Sequence, residues 1–528
     1  MSSLSLIFAN IGGDHSYGVG VLLVELIIVA VVALAVKYVK LPYTIALVAA
    51  GLGVGILRAQ NFLHLDLKLT PELVFTIFLP ALLFEAAFNL HFRALKENIR
   101  PISLLAVVGV VMAALGVAYT LHYFVGVPFA AALVFGALIS ATDPISVLAI
   151  FKELKAPSRI NILVEGESLL NDGAAVVIFK IILVFALTGL FSLSHSLVSF
   201  AVVSLGGLCV GAGLGYLVSQ LIRHVDDHLI EVTLSTILAY GSYLAAEHFG
   251  VSGVMSVIAA GVVFGNLGRR VGMSPNTRMM MAVFWEYIGF LMNSLVFLLI
   301  GTQVDLSLLT REYKIVLVAF LAVIVVRAIV VALLAPLFRL VDKPIPFSWH
   351  GALVWAGLRG SISMALAMGL PETLENRQSI ILMTFGVVIL SLFLQGLTMP
   401  VFLRKLKIVG VERPVYEYEK RIGRVLIHAR ALQVLRRLKE ELFLREKPYE
   451  ELVSFHEAEL KKAREALENL GEDQSEIFEE QKSDAEKLVT QAQMHSLHHA
   501  AERGLISDEA LEDLINELAE TLEEGDGH

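Results

Sequence analysis

The chain has 528 residues, 56% of them hydrophobic, and its mean hydropathy is +0.73. This composition excludes an ordinary soluble enzyme and predicts a polytopic helical membrane protein. Residues 1–400 carry 22 Lys and Arg against 21 Asp and Glu, whereas the last 128 residues carry 19 against 29. The net charge of −9 therefore comes from the C-terminal tail, and it gives no indication of a nucleic-acid partner.

Apolar runs long enough to cross a bilayer predict thirteen membrane spans. In chain order they are 21–38, 42–57, 73–90, 102–125, 127–151, 165–190, 196–222, 231–248, 252–267, 283–301, 314–339, 348–369 and 379–403. The loops on one side carry seventeen Lys and Arg, and the loops on the other side carry five. The positive-inside rule then predicts a multi-pass protein of the cell (inner) membrane, with its N-terminus outside and its C-terminal tail in the cytoplasm.

Two of these spans are interrupted at their centres. The fifth reads GALISATDPISVLAI and contains Pro144, and the twelfth reads GALVWAGLRGSISMALAM and contains Gly357, Arg359 and Gly360. Proline removes a backbone donor and glycine weakens a helix. With span 7 as a linker, spans 1–6 and 8–13 form two inverted repeats, and the fifth span of each is broken. Matching broken spans in an inverted repeat mark the binding site of a secondary transporter.

The chain becomes polar after about residue 405. We therefore predict a transmembrane transporter domain at 1–405 and a cytoplasmic helical regulatory tail at 406–528. Spaced apolar residues in ALQVLRRLKEELFL and DEALEDLINELAETL indicate amphipathic helices in the tail. A regulatory ligand or protein is a candidate partner for it.

The sixth span begins LVEGESLLNDGAAVVIFK, which places polar side chains inside the membrane. Ser168, Asn171 and Asp172 stand at i, i+3 and i+4, so we expect them on one helix face. Oxygen ligands suit a hard cation such as sodium. Burial favours the protonated form of a carboxylic acid, and a bound cation favours the ionised form. A single carboxylate for which proton and cation compete is sufficient for exchange, provided that it faces the two sides in turn.

The other charged residues within spans have competing interpretations. Glu167 and Arg359 lie near mid-membrane and are natural partners for a buried ion pair. Glu85 is either a site ligand or a buried hydrogen-bonding group. Asp143 precedes Pro144, where it could accept the free amides of the half-helix that follows. The remaining charged residues are interpreted as groups that snorkel to the membrane surface or pair with one another. They are Lys180, Arg327, Glu231, Glu247 and Glu286.

Five segments occur in the order and spacing of the sodium/hydrogen exchanger family: FLPALLFEAAFNL, ATDPISV, GESLLNDGAAVV, AYGSYLAAEHFGVSGVMSVIAAGVVFGN and WAGLRGSISMALA. Over residues 20–405 the chain resembles the cation:proton antiporters of the bacterial NhaP type. The resemblance implies a thirteen-helix fold with a dimer domain and a moving core domain, in a homodimer that works by an elevator-like motion. Ala81 departs mildly from the family, which commonly has a second proline after Pro80.

The resemblance also implies roles for the site residues. Asp172 would be the carboxylate that binds ion and proton. Sodium would be held at Asp172, Ser168 and Thr142, with Asp143 helping and Glu85 close by. Two further roles follow, namely a core ion pair of Glu167 with Arg359 and an "ND" pair completed by Asn171. Because relatives with two aspartates at this point tend to be electrogenic, Asn171 implies exchange of one cation for one proton.

The leading hypothesis is therefore electroneutral sodium/proton antiport for pH and sodium homeostasis, with no enzymatic activity and no cofactor. Its cargo would be Na⁺, or Li⁺ or K⁺, together with H⁺, and the lipid bilayer is its surroundings. The alternatives are potassium/proton exchange on the same scaffold and an ion channel, which, unlike an electroneutral exchanger, would carry current. An intramembrane hydrolase that uses Asp143 and Asp172 is disfavoured, since no histidine lies near GESLLND.

Overall fold

A computed structural model describes residues 14–39, 42–60, 70–225, 227–269, 272–304, 306–341, 345–409, 414–441 and 445–468, with a few isolated positions beyond them. Every regular element in these ranges is helical, which confirms the all-α class. The chain divides into two compact units, Met1–Gly410 and Val411–His528. The roles of these units as antiporter domain and regulatory tail remain predictions.

The first unit begins with helices that run from Asp14 to Ile222. They are α1 (Asp14–Val39), α2 (Tyr43–Ala59), α3 (Pro71–Asn89), α4 (Phe92–Glu97), α5 (Ile99–Val125), α6 (Phe129–Leu138), α7 (Ile145–Glu153), α8 (Ser158–Thr188) and α9 (Leu193–Ile222). The remaining helices of the unit are α10 (His228–His248), α11 (Gly253–Gly268), α12 (Pro275–Thr302), α13 (Leu306–Arg311), α14 (Tyr313–Val341), α15 (Phe347–Trp355), α16 (Ser361–Met368) and α17 (Arg377–Lys405).

Local sequence explains where several of these helices start and stop. The Thr70 hydroxyl accepts a hydrogen bond from the Leu73 amide, and Pro71 occupies the first position of α3, where its missing N–H costs nothing. Gly126 and Gly189 follow α5 and α8 with φ of 76° and 70°. Only glycine adopts that left-handed conformation without strain, so both helices end there.

Helices lie at every one of the thirteen predicted spans, with α6 and α7 sharing the fifth and α15 and α16 the twelfth. In the described part of the chain, eight helices are long and apolar enough to cross a membrane by length and composition. They are Pro71–Asn89, Ile99–Val125, Ser158–Thr188, Leu193–Ile222, His228–His248, Thr277–Thr302, Tyr313–Phe338 and Arg377–Lys405. The number of crossings and the inverted repeat remain predictions.

Small residues allow the long helix α9 to approach its neighbour closely. A Cβ at Gly211 would overlap the backbone carbonyl oxygen of Ser256 on α11, and one at Gly207 would overlap that of Ser252. The outer side of α9 instead exposes large apolar side chains such as Leu205. Glycine therefore allows tight packing on the inner side, and the apolar outer side suits contact with lipid.

The structure interrupts helices at the two places that the sequence marks. Residues 139–144 separate α6 from α7, and residues 356–360 separate α15 from α16. The two interruptions meet, because the Asp143 amide donates a hydrogen bond to the Leu358 carbonyl oxygen at 2.8 Å. Non-helical backbone at this depth is thus held by protein contacts, as the bilayer requires.

The second unit contains α18 (Pro414–Glu440) and α19 (Glu446–Glu468), which pack as an antiparallel hairpin. Nδ1 of His428 lies 3.0 Å from Nδ1 of His456 across the hairpin. The predicted helix in ALQVLRRLKEELFL coincides with the end of α18 as far as Glu440, and its final residues 442–444 lie outside the described ranges. Most of DEALEDLINELAETL also lies outside them.

Candidate functional site

A cavity of about 510 Å³ lies where α3, α7, α8, α12 and both interruptions come together. Its lining is acidic, since the charged side chains that face it are Glu85, Asp143, Lys152, Glu165, Asp172 and Glu286. Five acids against one lysine give a concave surface that attracts cations and repels anions. The cavity brings together five of the six predicted ion-site residues, namely Glu85, Thr142, Asp143, Ser168 and Asp172.

One face of α8 forms a wall of this cavity. Asn161, Glu165, Ser168 and Asp172 recur every three or four residues, so they project from the same side of the helix, and all four line the cavity. Asp172 is 8% exposed, and its Oδ1 receives no hydrogen bond from any described residue. A buried carboxylate oxygen without a protein donor is suited to bind a proton or a cation.

The first interruption is held in place from α8. The Ser168 hydroxyl donates a short hydrogen bond to the Thr142 carbonyl oxygen. Asn171 Nδ2 donates to the Ser140 carbonyl oxygen at 3.0 Å and to Thr142 Oγ1 at 3.2 Å. These donors satisfy backbone and side-chain acceptors that a broken helix leaves free.

Asn171 does not line the cavity, although the sequence places it one residue before Asp172. Successive helical residues are about 100° apart, so the two side chains leave α8 in different directions. Ser168, Asn171 and Asp172 still lie within about 100° of one another around α8, but only the first and the last line the cavity. The amide positions the interruption, while the hydroxyl and the carboxylate face the cavity.

Asp143 joins the two interruptions. Its Oδ1 accepts a hydrogen bond from the Ile145 amide at 3.0 Å, so the carboxylate caps the start of α7 as the sequence suggests. Its side chain also packs against Gly360, where an added Cβ would lie 2.5 Å from both Cβ and Oδ2 of Asp143. Glycine at this position is required by the close approach of the two interrupted segments.

Glu85 of α3 faces the cavity and is also hydrogen-bonded, because Asn89 Nδ2 donates to its Oε1 at 3.0 Å. Its side chain packs against the backbone of Gly289 on α12. The sequence analysis does not assign Glu165 to the site and interprets Glu286 as a snorkelling or paired group. Both line the cavity. Glu165 could have been found from the sequence, because it precedes Asp172 by seven residues, or two helical turns, and such residues share a helix face.

The expected ion pair between Glu167 and Arg359 is wrong. Glu167 Oε1 lies 2.6 Å from Nη2 of Arg327 on α14, and both side chains are buried. Nη1 of Arg359 instead donates to the carbonyl oxygens of Ser140 and Ala141, at 3.1 and 3.3 Å. Those carbonyls follow the end of α6, where the helix dipole and unpaired oxygens favour a cation.

Arg327 has a second partner, since its Nη2 also donates to the Leu353 carbonyl oxygen of α15 at 3.2 Å. Arg359 thus donates to the first interruption, and Arg327 donates to α15, the helix that ends at the second interruption. Outside the cavity, Lys180 of α8 pairs with Glu247 of α10 at 3.6 Å, and both side chains are partly exposed. This pairing agrees with the interpretation of Lys180 and Glu247 as paired groups.

The fold and the cavity define a class of protein: a multi-pass helical membrane protein in which two interrupted helices meet beside a buried carboxylate, as in secondary transporters. Residues 26–405 match the family described as "Sodium/hydrogen exchanger, transmembrane". The chain belongs to this family, and its relatives make it a cation:proton antiporter of the NhaP type, which confirms the resemblance read from the motifs.

Two relatives illustrate how far the similarity extends. The Na⁺/H⁺ antiporter ApNhaP of Aphanothece halophytica is 42% identical over 404 residues, which cover 74% of this chain and 76% of the relative. The Na⁺/H⁺ antiporter NhaG of Bacillus atrophaeus is 35% identical over 507 residues, which cover 94% of this chain and 95% of the relative. This second match includes the C-terminal unit.

Among solved structures, the sodium proton antiporter MjNhaP1 of Methanocaldococcus jannaschii superimposes with a TM-score of 0.60 at 23% identity. The superposition covers 74% of this chain and 98% of that one. At this level of identity the match shows a shared fold for the superimposed part of the chain.

Proposed function

We propose that the chain exchanges one sodium ion for one proton across the cell (inner) membrane, with Asp172 as the carboxylate that both ligands occupy in turn. The observation that carries the proposal is the buried Asp172 Oδ1, which has no donor among the described residues and lies in an acidic cavity beside the two helix interruptions. Relatives that carry the name Na⁺/H⁺ antiporter support this choice of cargo.

The oxygen atoms around Asp172 form a ligand set for a hard monovalent cation. Ser168 has used its proton on the Thr142 carbonyl, so the lone pairs of its oxygen are directed elsewhere. The Thr142 hydroxyl accepts from Asn171 and keeps a second lone pair. With the Asp172 carboxylate they supply charge and dipoles, while Asp143 and Glu85 add negative potential.

Competition between proton and cation then produces coupling. A proton on Asp172 removes the charge that binds sodium, and sodium bound to the carboxylate disfavours protonation. Transport of either ligand requires only that the loaded site alternate between the two sides of the membrane. An elevator-like movement of a core domain within a homodimer is the arrangement that we propose for this step.

Charge accounting favours electroneutral exchange. Asn171 is a neutral amide, and the charge of Glu167 is balanced by that of Arg327. Asp143 is engaged by the Ile145 amide. The site therefore carries the same charge with one proton or one monovalent cation on Asp172, and a membrane potential acts only on net charge that moves.

The cavity reaches Lys152 of α7 and Asn161 of α8. The loop between these helices belongs to the lysine- and arginine-rich set that the positive-inside rule places in the cytoplasm. We therefore propose that the cavity faces the cytoplasm in this conformation, with the N-terminus outside. By the same rule we propose that the C-terminal tail is cytoplasmic, where it would act as a regulatory element.

The proposal is tested with purified protein in liposomes that carry a pH gradient. We expect Na⁺ or Li⁺ to dissipate the gradient, and Asp172→Asn to abolish this while Glu97→Gln, an exposed acid outside the cavity, retains it. Exchange by Asp172→Asn at near wild-type rates would remove Asp172 from the mechanism. If K⁺ dissipated the pH gradient in preference to Na⁺, the transported cation would be potassium and not sodium.

Electroneutrality has its own test. With the membrane potential clamped by potassium and valinomycin, the sodium and proton gradients at balance should mirror each other at every potential. A balance point that shifts with the clamped potential would show that a second group titrates. A current driven by sodium alone would instead indicate a channel.

A further inference from the structure

Ser363 of α16 is a polar residue of the cavity for which the proposed mechanism has no role. It is 0% exposed, it lines the cavity, and its Oγ has no hydrogen-bond partner among the described residues. Leaving a hydroxyl buried and unpaired lowers stability, so in a cation-attracting cavity this oxygen, like Oδ1 of Asn161 and of Asp172, is open to a partner that is not part of the protein.

Two other buried serines show the acceptor that Ser363 lacks. Ser219 of α9 donates to the carbonyl oxygen of Gly215, four residues earlier in its helix, and Ser140, just after α6, donates to that of Gly136 within α6. For Ser363 the residue four positions earlier is Arg359, which lies in the non-helical interruption before α16. The usual acceptor is thus missing from the helix because the helix begins too late.

We infer that the Ser363 hydroxyl oxygen is a ligand of the cation that Asp172 binds. It would add one neutral oxygen from α16 to those that α8 and the first interruption supply, so that both interrupted helices contact the cargo. Hard monovalent cations are held by several oxygen atoms, and a hydroxyl with unused lone pairs meets that requirement. The inference rests on the proposed exchange at Asp172 and extends its ligand set.

The test compares Ser363→Ala with Ser204→Ala. Ser204 of α9 is 6% exposed and its Oγ also has no hydrogen-bond partner in the described part of the chain, but it does not line the cavity. We expect Ser363→Ala to raise the KM for Na⁺ about tenfold with Vmax within about twofold of wild type, because a ligand of the bound state is lost. Ser363→Thr, which restores an oxygen, should recover most of the affinity, and Ser204→Ala should leave KM unchanged.

Sodium-dependent thermal stabilisation of the purified proteins gives a readout that does not need transport. Binding raises the stability of the folded state with ln(1 + [Na⁺]/Kd), so the sodium concentration that produces a given shift in Tm should rise about tenfold in Ser363→Ala. If Ser363→Ala fails to transport, this measurement still shows whether Ser363 contributes to sodium binding. Ser363→Thr should respond to sodium like wild type.

Equal KM and equal sodium stabilisation in Ser363→Ala and wild type would overturn the inference, while loss of exchange in Asp172→Asn would leave the proposed function standing. A lower Tm in Ser363→Ala with an unchanged sodium response would also overturn it and assign the hydroxyl a structural role. Wild-type protein that neither exchanges sodium nor is stabilised by it would refute both.

Discussion

The buried pair of Glu167 and Arg327 gives the sharpest prediction about stability. Their side chains are 3% and 9% exposed, and the charged atoms are 2.6 Å apart. Glu167→Gln would leave Arg327 without its counter-charge, and Arg327→Met would leave the carboxylate alone. Removing one member of a buried pair typically costs about 3–5 kcal/mol of unfolding free energy.

The double variant Glu167→Gln/Arg327→Met leaves neither charge buried. We therefore expect it to lose about 2 kcal/mol less than the sum of the two single losses, because most of each single loss is the cost of an unpaired charge. Denaturant unfolding of purified protein in mixed micelles measures all three values. Partial recovery is expected, since the Leu353 carbonyl oxygen also loses a donor.

Two further cycles serve as controls. Lys180 and Glu247 are 59% and 41% exposed and 3.6 Å apart, so their coupling should be about 0–1 kcal/mol. Coupling between Glu167 and Arg359 should be weaker than that between Glu167 and Arg327, because Arg359 hydrogen-bonds to carbonyl oxygens. Strict additivity for Glu167 and Arg327, or a larger coupling with Arg359, would refute this account of the ion pairs.

Three further predictions concern the interruptions and the tail. Gly360→Ala, whose Cβ would lie 2.5 Å from Asp143, should lower the exchange rate about tenfold or more, whereas Gly53→Ala, with no atom within 4 Å, should leave it unchanged. Asn171→Ala removes two hydrogen bonds but no cavity-lining group. Its Tm should therefore fall by an amount equivalent to about 1–3 kcal/mol while exchange persists. Complete loss of exchange in folded protein would instead make Asn171 a ligand. Truncation after Gly410 should preserve insertion and exchange with an altered pH response, and failure to fold would make the tail part of the core.

The helices were predictable because hydropathy and length are properties of contiguous sequence. Helix interruptions were predictable as well, because Pro144, Gly357 and Gly360 act on the backbone locally. Asp172 and Ser168 were recognisable for the same reason, since i and i+4 positions share a helix face whatever the helix packs against. Because they share this face, both side chains line the cavity.

Contacts between helices distant in the chain were less accessible. Depth in the membrane suggested Arg359 as the partner of Glu167, but the choice between Arg359 and Arg327 depends on how α14 packs against α8. The roles of Glu286 and Ser363 depend likewise on which side of α12 and α16 faces the cavity. Sequence periodicity alone does not specify that side, because these helices have apolar residues on most sides.

The central claim is that one proton and one sodium ion compete for Asp172, and it predicts how the KM for sodium depends on pH. For a single shared carboxylate, the apparent KM should rise about tenfold for each unit of pH decrease in the acidic range, with Vmax unchanged at saturating sodium. Initial rates of ²²Na⁺ uptake into proteoliposomes at a series of pH values measure this directly. A KM that stays constant while Vmax falls with pH would contradict competition at Asp172 and place the proton on a different group.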